Sequence, residues 1–290
     1  MRHFIMLMCG AMLTLSALAF TRTFTIQEPF GLDWGPDRVN YPVAFPQGAV
    51  TPDGITLTDA AGAPVAVQLS DIVLWPDKKT VKSAIASFIV ALKPDATGTW
   101  TLTGSRKRVK QPATDLAVKE GRGTIQLTTA KVGIRVAGGV KQFKEGIGAE
   151  KLQAPVQGLR LFDGTWIGRG WWQTDRPCLG YRAEVIERGP VFARLRLQYE
   201  FTDATAYSAI IELSAGQEMA VISESFNISD GKAYEMPEQP GTKPGDLFRY
   251  VLPRFASPER AMLWDWWGGT GGNVPSPNCY HFSIYGGLQP

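Results

Sequence analysis

The chain has 290 residues, 44% hydrophobic and 20% charged, and its 30 basic and 27 acidic residues leave a formal net charge of +3. This is the composition of a globular protein with a real core, long enough for one large or two ordinary domains. Basicity this mild argues against a nucleic-acid partner, which needs a concentrated basic face.

Residues 1–19 read as a signal peptide. Arg2 and His3 make a basic start, Phe4 to Leu18 is almost wholly apolar, and Ala17-Leu18-Ala19 has the small-x-small form of a cleavage site. The apolar run is short for a membrane span, and Cys9 lies too early in it to be a lipid anchor. The expectation is a secreted or periplasmic protein with no membrane partner once the leader is gone. Its removal leaves 29 basic against 27 acidic residues, a net charge of +2.

From Phe20 to about Thr103, short apolar runs are broken by Gly, Pro and Asp. Ile55 to Thr58 alternates, Asp59-Ala60-Ala61-Gly62 turns, and Val65 to Leu69 alternates again, which predicts a β-hairpin. Ser83 to Leu92 is read as a buried strand by its neighbours, and Gly98 to Thr103 alternates cleanly. The pattern predicts a small domain over residues 20–110, built of strands a few residues long. Residues 104–115 (GSRKRVKQPATD) look like a linker. Their run of Arg106, Lys107, Arg108 and Lys110 is either a solvated surface or a contact for acidic polysaccharide. No aromatic platform interleaves with it, as single-stranded nucleic acid would require.

A larger domain is predicted over residues 111–290. Thr124 to Leu127, Val132 to Val136, Arg182 to Ile186, Phe192 to Phe201, Tyr207 to Leu213 and Met219 to Phe226 alternate, with a turn at Glu187-Arg188-Gly189-Pro190. This spacing suits an antiparallel sandwich whose strands have one wet and one buried face. Ser257 and Pro258 mark the start of a short helix. The chain stops four residues after Gly286 with no finishing strand or polar tail, so truncation is one expectation. The mature chain keeps two cysteines, Cys178 and Cys279, which form either one disulfide or two buried thiols. A metal site has little to draw on, because His281 is the only mature histidine, and the sequence leaves the cofactor unknown.

The stretch from Gly31 to Gln68, followed by LWPDKKTVKSAIASFIVAL from Leu74 to Leu92, resembles the N-terminal RIFT-barrel-like domain of exo-rhamnogalacturonan lyase-like proteins. There a Trp-Pro-Asp-Gly-Ser-Val-Lys turn recurs. Here it reads Trp75-Pro76-Asp77-Lys78-Lys79-Thr80-Val81-Lys82, one residue longer and without the glycine and serine. IERGPVFARLRLQYEF from Ile186 and IIELSAGQEMAVISESFNI from Ile210 resemble the β-sandwich domain that follows in the same family. The resemblance implies an all-β chain, a small RIFT-barrel-like domain ahead of a larger antiparallel sandwich. It also implies work on acidic polysaccharide or oligosaccharide by β-elimination. In the family an α/α toroid follows the β domains and the activity belongs to the whole, whereas no segment here has the helical pattern for a toroid.

A lyase of this kind takes a proton from a uronic acid with a base and needs a cation to stabilise the charge that develops on the carboxylate. Tyr280 and His281 are the candidate bases, and Arg169, within Trp166-Ile167-Gly168-Arg169-Gly170-Trp171-Trp172, is the candidate cation. A Cys178–Cys279 bridge would bring those two stretches together. Each has a plainer reading: a hydrogen-bonded histidine and a surface or salt-bridged arginine. Trp171, Trp172, Trp264, Trp266 and Trp267, with Asp265, are candidate sugar contacts, since indole faces stack on sugar rings. The alternative is that these tryptophans pack a sandwich edge or a domain interface. Trp266 and Trp267 are adjacent, so in an extended chain they face opposite ways. The rival to an enzyme is a non-catalytic carbohydrate-binding or structural β module.

Overall fold

The computed structural model describes residues 20–168, 170–172, 174, 176–202 and 204–227. Over these the protein is all-β, as the alternating pattern predicts, with a single 3-10 turn at Ala149–Lys151 and no α-helix. It divides into two compact units, one of Met1–Gly35 and Val39–Pro112, the other of Pro36–Arg38 and Ala113–Pro290.

The first unit holds β1 (Phe20–Gln27), β2 (Trp34–Ala44), β3 (Ile55–Asp59), β4 (Pro64–Val65), β5 (Val67–Leu74), β6 (Val81–Leu92) and β7 (Thr97–Gly104). They form two sheets, ordered β1-β7-β3-β4 and β2-β6-β5. Both feed one core, in which Phe24, Leu57, Phe88, Val90, Trp100 and Leu102 are buried. Burial of each large apolar side chain contributes about 1.5–3 kcal/mol, so two sheets sharing a core stabilise what neither could alone. β2 and β6 run to 11 and 12 residues, longer than the short strands the sequence suggests. β6 carries no Gly or Pro, whereas β2 runs through Gly35, Pro36 and Pro42.

The predicted hairpin is shorter than its pattern. Asp59 makes the turn, its Oδ1 accepting the N–H groups of Ala61 and Ala63. The return strand pairs with β3 only over Pro64–Val65, and from Val67 the chain crosses to pair with β6 instead. The crossing leaves backbone groups without ladder partners, and Gln111 supplies them. Its Oε1 accepts from Val67 N–H at 3.1 Å, and its Nε2 donates to Ile55 O at 2.8 Å. The stretch expected to be a solvated linker therefore carries a structural clamp, while Arg106, Lys107, Arg108 and Lys110 are exposed. Gln111→Ala is expected to destabilise the protein by about 1–3 kcal/mol by leaving both groups unpaired, readable as a lowered urea midpoint.

The turn over Trp75–Thr80 is built on Asp77, whose carboxylate accepts from the Thr80 hydroxyl and from the N–H groups of Thr80 and Lys79. These bonds hold its carboxyl down at about 2. Lys78, standing where the family pattern has glycine, takes φ 53°, a conformation that favours glycine.

The second unit holds β8 (Ala117–Gly121), β9 (Thr124–Thr128), β10 (Gly133–Ala137), β11 (Gly139–Ile147), β12 (Val156–Arg160), β13 (Trp166–Ile167), β14 (Cys178–Arg188), β15 (Phe192–Phe201), β16 (Ala206–Ser214) and β17 (Val221–Asn227). Two five-stranded antiparallel sheets, β13-β12-β10-β9-β8 and β11-β14-β15-β16-β17, enclose one core. In β15 the side chains of Ala193, Leu195, Leu197, Tyr199 and Phe201 point inward, and those of Arg194, Arg196, Gln198 and Glu200 outward, the period-2 signature of a strand with one buried face.

Candidate functional site

The expected site residues divide sharply. Arg169, Trp264, Asp265, Trp266, Trp267, Cys279, Tyr280 and His281 lie outside the described residues, as do the leader and the helix expected after Ser257. Trp171 is 45% exposed, whereas its neighbour Trp172 is 6% exposed and belongs to the sandwich core. The Trp172 ring packs edge-on against Tyr199, Phe201 and Tyr207 with centroids 5.0–5.3 Å apart. Its Nε1 donates to Gln153 O at 3.1 Å. Of the two readings for Trp172, the structure shows packing, because no ring face is left for a sugar.

Around Trp172 the core carries a ring of satisfied phenols. Tyr199 and Tyr181 both donate to Gln153, and Tyr207 donates to Glu224 at 2.6 Å. Burial pushes all three hydroxyls above the usual tyrosine range, with Glu224 adding to the effect on Tyr207. They stay protonated at neutral pH and do not act as bases. Cys178 is likewise buried, with its thiol pushed up to about 11 by burial, so it is not a nucleophile.

The outward face of the β13-β12-β10-β9-β8 sheet is different. Register places Trp166, Arg160, Gly133, Thr128 and Ala117 in one row across the strands. Gly158, Arg135, Gln126 and Lys119 form the next row. The intervening residues Ile125, Leu127, Ile134 and Val136 point into the core, which fixes these two rows on the outer surface. The Arg135 guanidinium lies 4.2 Å from the centre of the Trp166 ring. That ring lies beside Gly158, where a Cβ would come within 3.5 Å of it and 3.2 Å of Ile167 O. Arg160 crosses Gly133, where a Cβ would come within 2.9 Å of Arg160 Cβ, and it donates from Nη1 to Thr129 O at 3.1 Å. Phe162, at the tip of the β12–β13 hairpin, is 84% exposed.

The electrostatics single this face out. On the outside of the other sheet, arginines are neutralised: Arg194 by Glu187 at 2.9 Å and Glu212 at 2.7 Å, and Arg196 by Glu184 at 3.6 Å. Among the described residues Arg135, Arg160 and Lys119 have no carboxylate partner, and Arg135 Nε is buried without a hydrogen bond. Two arginine forks beside an indole suit a ligand with planar anionic groups and apolar ring faces. The sequence offers little warning of this, since the two arginines lie 25 positions apart and only the strand register brings them together. At the opposite edge of the same sheet is a cleft of about 550 Å³ lined by Glu120, Thr124, Gly138, Glu184 and Arg188. Its charges are spent internally, Arg188 on Glu120 and Glu184 on Arg182 and Arg196. Among the described residues no group of His, Cys, Asp and Glu has the arrangement to hold a metal ion.

No protein-family model and no curated protein matches this chain. Matches among solved structures include a protein in glycosyl hydrolase family 38 from Enterococcus faecalis, at 9% identity and a TM-score of 0.40. That alignment covers 72% of this chain but 31% of the solved one, so this chain spans less than a third of its length, and a likeness this distant carries no argument about function.

Proposed function

We propose that this chain is a secreted, carbohydrate-active β protein that binds acidic polysaccharide, resembling the β domains of rhamnogalacturonan exolyases. The observation that carries the reading is the pair of unneutralised arginines, Arg135 and Arg160, on one sheet face with Trp166. A uronate offers each arginine a carboxylate for a two-pronged, charge-assisted bond, and its ring face offers the indole a stacking surface. Lys119 adds a third cation in the Arg135 row, two strands away and so about 10 Å distant.

Binding is favoured over elimination by the unpaired cations of this face, whereas Tyr181, Tyr199 and Tyr207 are phenols whose hydroxyls burial holds above the usual tyrosine range. In the elimination reading, Tyr280 or His281 would remove the proton and Arg169 would neutralise the carboxylate. The test titrates the protein with rhamnogalacturonan, polygalacturonate and a neutral galactan while ultraviolet absorbance follows any unsaturated uronate. Charge-dependent binding with flat absorbance is the expected result. Rising absorbance would make this a lyase, with Arg169, Tyr280 and His281 the first residues to replace. No binding to any acidic glycan sinks both readings.

A further inference from the structure

Two basic runs far apart in sequence meet at one end of the first unit. The β5–β6 turn closes through Trp75 N–H to Thr80 O at 2.8 Å, and Val81 N–H bonds Val50 O at 2.8 Å. The run after β7 is tied to the same loop: Thr51 N–H bonds Ser105 O at 3.1 Å, and Val109 N–H bonds Asp53 O at 2.8 Å. Lys78, Lys79 and Lys82 from the turn therefore share a surface with Arg106, Lys107 and Arg108, and all six are exposed. Arg106 acts electrostatically on Asp77 across the gap. Asp53, Asp71 and Asp77 are the acids of these segments. The local surplus is three positive charges, equal to the net charge of the whole chain. Asp77 is already occupied by the turn's own donors, and Arg108 stands 3.9 Å from Asp53 in an exposed pair that adds little.

Apolar side chains border this basic surface directly. β5 bulges at Asp71, and the next three residues, Ile72, Val73 and Leu74, are 39%, 51% and 39% exposed. Trp75 follows, its Nε1 donating to Phe45 O at 3.2 Å and Lys82 Nζ standing 5.5 Å from its ring. We propose that this end of the first unit docks on anionic membrane surfaces, with Ile72, Val73 and Leu74 entering the acyl boundary, Trp75 at the interface, and the six cations on headgroup phosphates. Aliphatic groups, an indole and clustered lysine and arginine in one patch match the layers of a lipid interface. A soluble polysaccharide would use the cations but gain nothing from three exposed aliphatic side chains. No helix among the described residues is long and apolar enough to cross a membrane. The proposed contact departs from the expectation, drawn from the sequence, of no membrane partner, and it is independent of the carbohydrate reading.

The test is co-flotation of the leaderless protein with vesicles of equal phosphatidylcholine and phosphatidylglycerol, against phosphatidylcholine alone. Partition to the anionic vesicles alone, falling as salt is raised, is expected. Lys78→Gln with Lys79→Gln should lower partition about thirtyfold, a little over fivefold for each charge removed. Val73→Ser with Leu74→Ser should lower it about tenfold and leave the salt dependence intact. Both pairs are exposed, and a circular-dichroism melt checks that each variant stays folded. Equal partition to both vesicles, no partition, or partition unmoved by either pair overturns the proposal. So does loss of polygalacturonate binding in the lysine pair with no vesicle binding by the parent, which would give the patch to polysaccharide.

Discussion

Trp172→Ala is expected to cost about 3–5 kcal/mol, the range for deleting a large aromatic side chain from a packed core. The ring touches Tyr199, Phe201 and Tyr207 and is tied through Nε1 to Gln153 O, so its loss opens a cavity and removes one of that acceptor's donors. Gln153 O would keep only Tyr199 as a donor, and the phenols around it would lose the surface that fixes their rotamers. A fall in Tm on the order of 10 °C follows from that loss in a unit of this size. Trp172→Phe, which keeps most of the volume and loses the N–H, should recover more than half of the loss. Trp171→Ala, next in the chain but half-exposed, should stay within about 0.5 kcal/mol of the parent. Equal, small effects at both positions would show that Trp172 is not a core residue.

Arg135→Met is expected to separate binding from folding. The substitution keeps most of the side chain's apolar length over Trp166 and removes a buried Nε that has no hydrogen-bond partner. Stability should hold or rise, because a buried unpaired donor costs about 1–3 kcal/mol. Affinity for polygalacturonate should fall ten- to a hundredfold, since a charge-assisted bond is lost. Arg160→Gln should lower affinity by a similar factor and Trp166→Ala about tenfold. Arg135→Lys should rescue poorly, because an ammonium cannot match a carboxylate with two parallel bonds. Isothermal titration beside a thermal melt reads both quantities. A lowered Tm with unchanged affinity in Arg135→Met would reduce the arginine–tryptophan pair to a structural contact.

A protein keeps unpaired charge on a surface at some cost in stability, and such sites are where binding is found. The contrast between the two outer faces of the sandwich makes the point with residues of one type. Arg194 and Arg196 sit opposite glutamates on their neighbouring strands, so each charge is cancelled where it stands. Arg135 and Arg160 have glycine opposite them, at Gly158 and Gly133. Glycine there leaves space for the long side chains and gives them no counter-charge.

The sequence by itself determined the all-β class, most of the strands, the Asp59–Gly62 turn and the two-faced alternation of β15, because period-2 alternation is a property of consecutive residues. It offered Trp171 and Trp172 alike as sugar contacts and did not separate the exposed ring from the buried one. Strand partners, sheet membership and charge pairing were decided only by the tertiary structure. Val67 begins a strand that pairs with β6 rather than β3, Gln111 clamps the crossing, and Arg135 and Arg160 are neighbours through the register of β10 and β12. Each of these depends on which residues lie across a strand gap of about 4.8 Å. Contacts of that kind join residues distant in the chain, and no local pattern records them.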